Sequence, residues 1–107
     1  MKPQVLKGHL DLLLLTALES GPAHGYAVVK EVGRRSGGAL ELAEGTAYPA
    51  LHRLEREGLI ESEWSEASGR RRRVYRLTRR GRAALSGERE EWRRFARGMR
   101  AVLGETG

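Results

Sequence analysis

The chain has no cysteine. That excludes a disulfide framework, a thiolate metal site and a cysteine nucleophile, and it fits a reducing compartment. Long apolar runs are missing too. None exceeds four residues, as in Leu12–Leu15, whereas a membrane-spanning helix needs about 20. The opening Met1-Lys2-Pro3-Gln4 starts no secretory signal, because Asp11 interrupts any apolar core and no small-residue cleavage site follows. The expected location is the cytoplasm, with no membrane partner. His9, His24 and His52 are scattered and have no cysteine to join them, so no metal site is expected. No Ser-His-Asp arrangement, phosphate-cradling glycine loop or metal dyad is visible, which argues against an enzyme and against a bound cofactor.

What the chain does have is positive charge. Its 107 residues carry 20 Lys plus Arg against 14 Asp plus Glu, a net charge of +6. Such an excess favours polyanions as partners. Arg outnumbers Lys 17 to 3, and the planar guanidinium suits bidentate phosphate and guanine contacts. The charges are also segregated. The stretch Arg70–Arg82 is rich in arginine and has no acid, while Glu31–Glu66 holds most of the carboxylates. A chain of this length forms one folded unit and buries roughly two-thirds of its unfolded surface, so it needs tight packing or a partner.

Apolar spacing predicts a first helix over Leu6–Glu19, with Leu6, Leu10, Leu13, Leu14, Ala17 and Leu18 on one face. Leu12 and Leu15 fall off that face and call for a second partner. Ser20-Gly21-Pro22 stops the helix. A second helix follows over about His24–Arg35, with Tyr26, Val29 and Val32 as its buried stripe. Ala39–Leu42 alternates like a short strand. A third helix, Thr46–Glu57, turns Ala47, Ala50, Leu51 and Leu54 inward. Pro49 requires that it start later than Glu44 or bend. Gly58 closes it.

Two strand-like segments flank a turn at Ala67-Ser68-Gly69, with Arg70–Arg73 at the tip and Trp64 packed beneath. Thr78 then caps a last helix, Arg79–Leu103, roughly 37 Å long. Its apolar residues Leu85, Trp92, Phe95, Met99 and Val102 step at near-heptad spacing, the mark of a seam for another helix. The expected architecture is therefore mainly α with a small β-hairpin. It is a winged helix-turn-helix DNA-binding part over residues 1–78 and a dimerisation helix with its tail over 79–107.

Three ordered motifs give these elements a family likeness. Gly45-Thr46-Ala47-Tyr48-Pro49-Ala50-Leu51-His52-Arg53-Leu54-Glu55-Arg56-Glu57-Gly58-Leu59-Ile60 resembles the recognition-helix signature of PadR-type transcriptional regulators. So do His24-Gly25-Tyr26 and the run Gly69–Thr78 followed by Gly81. The resemblance covers about Leu10–Leu103. It implies a homodimeric repressor that binds palindromic operators in double-stranded DNA and is released by phenolic or other planar ligands. The single C-terminal helix resembles the compact branch of the family, in which a Trp of that helix stacks on aromatic ligands at the dimer centre. Trp92 stands at the matching distance after Leu77-Thr78. The chain departs from that pattern in the dense charge around Trp92, with Glu88, Glu90 and Glu91 beside Arg89, Arg93 and Arg94.

The candidate DNA contacts are Thr46, Tyr48, Pro49, His52 and Arg53 on the third helix, Tyr26 and Lys30 on the second, and Arg70, Arg71 and Arg72 on the wing. Arg73, nearest the strand, is expected to be structural. Leu12, Leu15, Trp92, Phe95 and Met99 are the candidates for the dimer interface or a small aromatic effector. Two rival readings are a docking module without DNA binding and a small-molecule sensor.

Overall fold

The computed structural model describes residues 3–105. Its elements run α1 (Pro3–Lys7), α2 (Leu10–Glu19), β1 (Ala23–His24), α3 (Gly25–Arg35), α4 (Glu44–Arg56), β2 (Ile60–Ser65), β3 (Arg72–Leu77) and α5 (Arg79–Leu103). Helices α2, α3 and α4 pack around one core, and a three-stranded antiparallel sheet of order β1-β3-β2 flanks it. This is the expected winged helix-turn-helix with a long C-terminal helix. Among the described residues no helix is long and apolar enough to cross a membrane.

The expected first helix is two. Gly8 and His9 interrupt it: the His9 backbone leaves helical geometry and its N–H bonds back to the Leu6 carbonyl at 3.0 Å. The buried face of α2 is also rotated from the expected one. Leu10, Leu14, Leu15, Ala17 and Leu18 are buried, whereas Leu13 is half-buried beside Leu12. Leu15, expected to face a partner or ligand, is fully enclosed in the chain's own core. The reason is that α2 touches α3, α4, β3 and α5, so its buried arc is wider than one stripe.

Helix α4 begins at Glu44 in spite of Pro49. Pro49 lacks the N–H that would reach the Gly45 carbonyl, but both residues are exposed, so water can meet that carbonyl. Its inward set is the expected Ala47, Ala50, Leu51 and Leu54. Ala39–Leu42 is irregular, not a strand. The free edge of β3 is taken instead by Ala23 and His24, opposite Tyr75 and Val74.

In the hairpin Ile60 pairs with Leu77, Ser62 with Tyr75 and Trp64 with Arg73 on one face. Side chains alternate, so Glu61, Glu63 and Arg76 share the other. Arg76 Nε donates to Glu61 at 2.8 Å and Nη1 to Glu63 at 3.4 Å.

The joint between wing and α5 is tight. The Thr78 hydroxyl caps α5 by accepting the Gly81 N–H at 3.0 Å and donates to the Gly58 carbonyl at 2.6 Å. A Cβ on residue 81 would lie 1.9 Å from the Leu59 carbonyl oxygen. Only glycine fits there. Gly81 and Leu85 anchor α5 in the core, Trp92 and Phe95 still lie against His9 with Ala96 buried, and beyond Ala96 the helix projects from the domain. The radius of gyration reflects this: 15.0 Å, against about 13 Å for a compact domain of this length.

Replacing Gly81 with Ala is expected to destabilise the fold by about 1–3 kcal/mol, the range for overpacking. Each kcal/mol lowers the melting temperature by roughly 4–8 °C in a domain of this size. A thermal melt followed by circular dichroism checks this, and an unchanged midpoint would refute the close approach.

Candidate nucleic-acid interface

Three segments converge at one end of the fold: the start of α3, the outer face of α4 and the hairpin. They enclose an open cleft of about 540 Å³ lined by His24, Gly25, Tyr26, Tyr48, Trp64, Tyr75 and Arg70–Arg73. Gly25 sets the first contact. Its missing side chain receives the Tyr48 ring, since a Cβ there would fall 2.4 Å from Tyr48 Cε1. This orientation of α3 corrects the expected buried stripe. Gly25, Val28 and Val32 face inward, and Tyr26 is 49% exposed. Its ring stacks on His24 at 6.4 Å, with Lys30 Nζ 5.2 Å from the ring centre.

His24 caps α3. Its Nδ1 accepts the Ala27 N–H at 3.3 Å, and its Nε2 lies 2.8 Å from Arg72 Nη1. Burial first, and the Arg72 charge second, hold its pKa below the ordinary 6.5.

On α4, Thr46, Pro49 and His52 are exposed and Tyr48 is half-buried. Arg53 is not a free cation. It donates to Asp11 of α2 and, at 3.2 Å, to Glu57. The expectation that it reads a base meets this obstacle: its guanidinium already ties α4 to α2, and chiefly the Asp11 hydrogen bond raises its pKa.

The hairpin is fixed to α4 by a short chain of bonds. Arg73 Nε donates to Ser62 Oγ at 2.7 Å, Ser62 Oγ donates to Glu55 at 2.6 Å, and Arg73 Nη2 reaches the same carboxylate at 3.5 Å. Arg73 is structural in geometry, as expected. None of the ion pairs among the described residues involves Arg70, Arg71 or Arg72, and all three are exposed. The fold therefore presents three uncompensated guanidinium groups beside α4. Trp64 packs against the wing's own Arg71 and Arg73 and not against the core. It is 54% exposed, because β2 has run past the core by the time it reaches this residue.

A second feature lies away from this face. Trp92 meets His9 edge-on at 5.3 Å and Phe95 at 5.9 Å. Two adjoining grooves of about 400 Å³ each share Leu12, Leu13, Leu40 and Trp92 as walls. Arg35, Arg89 and Arg93 rim one of them. Met99 is exposed farther along α5. The structure thus brings Leu12, Trp92 and Phe95 together and leaves Leu15 out.

The sequence profile of the Transcriptional regulator PadR-like family matches residues 14–87. The chain belongs to this PadR-like family. It is 45% identical over 74 residues to a transcriptional regulator of Mycobacterium tuberculosis, covering 69% of this chain and 66% of that one. Among solved structures, it is similar to a transcriptional regulator from Clostridium thermocellum, with 29% identity, a TM-score of 0.86 and coverage of 94% and 96% of the two chains. It is also similar to a PadR family transcription regulator from Clostridium difficile, with 38% identity, a TM-score of 0.78 and coverage of 90% and 99%. Membership makes the chain a transcriptional regulator and not an enzyme.

The matched segment of this PadR-like regulator runs from Leu14 within α2 through the wing to the anchored start of α5, and stops short of Trp92. Reading from sequence missed the tie from Glu55 through Ser62 to Arg73. The alternation of β2 and β3 carried that signal, since it puts Ser62 and Arg73 on one face. It also missed the Asp11–Arg53 pair, which no local pattern announces.

The His24 cap has a definite sign with pH. A histidine whose folded pKa is depressed opposes folding once protonated, so stability falls as pH drops through 6.5 toward the folded value. The wild-type melting temperature is expected to fall more between pH 8 and pH 5.5 than that of His24→Asn, which keeps a capping side chain without the titration. Equal slopes would contradict the half-buried, Arg-facing placement of the imidazole.

Proposed function

We propose that this PadR-like regulator is a homodimeric repressor that binds palindromic double-stranded DNA and is released by a small planar ligand. The carrying observation is the set of uncompensated cations Arg70, Arg71 and Arg72 on a hairpin that Glu55, Ser62 and Arg73 fix to α4. Phosphate contacts position a protein on a duplex and base contacts specify the site. In this reading Thr46, Tyr48, Pro49 and His52 face the major groove, and Tyr26 and Lys30 hold the backbone. The wing arginines contact phosphates or a narrow minor groove. Arg53 sets the angle of α4 on α2 through Asp11, and so acts on DNA indirectly. The protein works in the cytoplasm, where its DNA is.

The free part of α5 supports the dimer. Trp92, Phe95, Met99, Val102 and Leu103 are all exposed along one projecting helix, and such a strip is satisfied by a second helix. A two-fold pair places its recognition helices about 34 Å apart, one turn of DNA. The functional division falls at Thr78, with residues 1–78 on DNA and 79–107 on the partner copy, although α5 is rooted in the core as far as Leu85. The grooves at Leu12, Trp92 and Phe95 supply the ligand site. Arg35, Arg89 and Arg93 rim one of them, each already paired with an acid (Glu31, Glu19 and Glu90), and the remaining walls are mostly apolar and aromatic, which favours a planar apolar ligand over a charged one. Its effect on DNA then requires only different affinities for two dimer geometries.

Fluorescence anisotropy of a labelled duplex from upstream of the gene, beside a scrambled duplex and across a salt series, tests the DNA reading. Tighter, salt-sensitive binding to the upstream duplex is expected. Arg71→Ala should weaken binding to both duplexes and reduce the salt slope by about one phosphate contact. Weak, equal binding of the wild type to both would refute sequence-specific recognition there. Phe95→Glu is expected to give monomers in sedimentation velocity, and an unchanged dimer would place the interface elsewhere.

A further inference from the structure

The exposed Trp64 is unexplained by the core. Its strand neighbours Ile60 and Ser62 face inward, but at position 64 the hairpin has left the domain, and the indole remains 54% exposed. An indole so placed draws little hydrophobic stabilisation from its own fold. It has two cationic neighbours instead. The guanidinium carbon of Arg71 lies 4.6 Å from the ring centre and that of Arg73 lies 5.4 Å away, both inside the roughly 6 Å reach of a cation–π contact.

The two arginines differ in what else holds them. Arg73 is bound to Ser62 and Glu55, so the Trp64–Arg73 stack rests on α4. Arg71 takes part in none of the ion pairs among the described residues. The chemistry of this choice is informative. A carboxylate partner would immobilise Arg71 but would occupy its N–H donors and cancel its charge. An aromatic face restrains the planar group and leaves both intact. The five N–H donors lie in the guanidinium plane, so a ring over that plane blocks none of them. A long side chain restrained in advance loses less freedom when it binds.

We propose that Trp64 is a positioning residue of the wing, holding Arg71 with its donor edge turned outward for a DNA phosphate. The proposal rests on the reading of the wing as a DNA contact. It makes the wing a layered device. Glu55 fixes Ser62 and Arg73, this layer supports the indole, and the indole orients Arg71, one of the three wing arginines that the acids leave free.

The test compares Trp64→Leu with Trp64→Phe. Leucine supplies apolar bulk without an aromatic face, and phenylalanine keeps the face. Binding of the full chain to a labelled mixed-sequence 30-base-pair duplex is measured by anisotropy between 50 and 200 mM salt. Trp64→Leu is expected to weaken binding about 5- to 10-fold and to flatten the salt slope by about one contact. Trp64→Phe should retain most of the affinity. In an Arg71→Ala background Trp64→Leu should cause no further loss, since its effect passes through Arg71. Equal affinity of the Leu variant and wild type would overturn the proposal. So would an undiminished loss in the Arg71→Ala background, which would mean that Trp64 acts by itself. A wild type without salt-sensitive binding would instead remove the DNA reading and this inference together, a result distinct from either.

Discussion

Helix α2 must be buried on several sides at once, and every other part of the protomer is placed by that demand. Leu14 and Leu15 are fully buried, and α3, α4, β3 and α5 all touch the helix. Enclosing a leucine stabilises the fold by about 1.5–3 kcal/mol, so two adjacent ones fix the positions of the elements that cover them. What α2 leaves outside is equally ordered. Asp11 reaches Arg53 on α4, and Leu12 and Leu13 wall the groove beside Trp92. One helix thus supports the proposed DNA-facing element on one side and the proposed ligand site on another.

The acids decide which arginines remain available. Glu31 binds Arg34 and Arg35, and those hydrogen bonds hold its pKa down to about 2. Asp11 and Glu57 take Arg53, Glu55 takes Arg73, Glu61 and Glu63 take Arg76, and Glu19 takes Arg89 at 2.8 Å. Most of these pairs are partly exposed and each stabilises the fold little. Their larger consequence is geometric: they hold guanidinium groups inside the scaffold and leave Arg70, Arg71 and Arg72 outside it. A net charge of +6 states an attraction for polyanions in general. On the wing, where three free guanidinium groups stand side by side beside α4, that attraction is concentrated.

Helix α5 belongs to two environments. Gly81 and Leu85 root it where the Leu59 carbonyl leaves no room for a side chain; Trp92 and Phe95 farther on keep one side against His9, and Met99, Val102 and Leu103 stand in solvent. A strip of that kind on a helix that projects from its domain is the surface that the proposed dimer would cover. Rooting the helix so rigidly means that a change of packing along its free half is transmitted to the wing joint at Thr78 and Gly58, which the same hydrogen bonds close.

Where one element alone decided the outcome, the sequence was legible. The hairpin strands, the Thr78 cap, the limits of α5 and the inward set Ala47, Ala50, Leu51 and Leu54 follow from alternation, capping chemistry and a clean helical period. The family likeness rests on the same local motifs. Failures came where two elements meet. The arc of α2 included Leu15 because four neighbours cover it, and Tyr26 turned outward because Gly25 receives the Tyr48 ring. Trp64 lies against Arg71 and Arg73 and outside the core because β2 outruns the core. Arg53 was held because Asp11 lies against it across 42 residues of chain. A period fixes which side chains share a face of their own helix or strand, since backbone geometry alone sets that. Which other element covers that face, and which charge waits there, is decided only by packing in three dimensions.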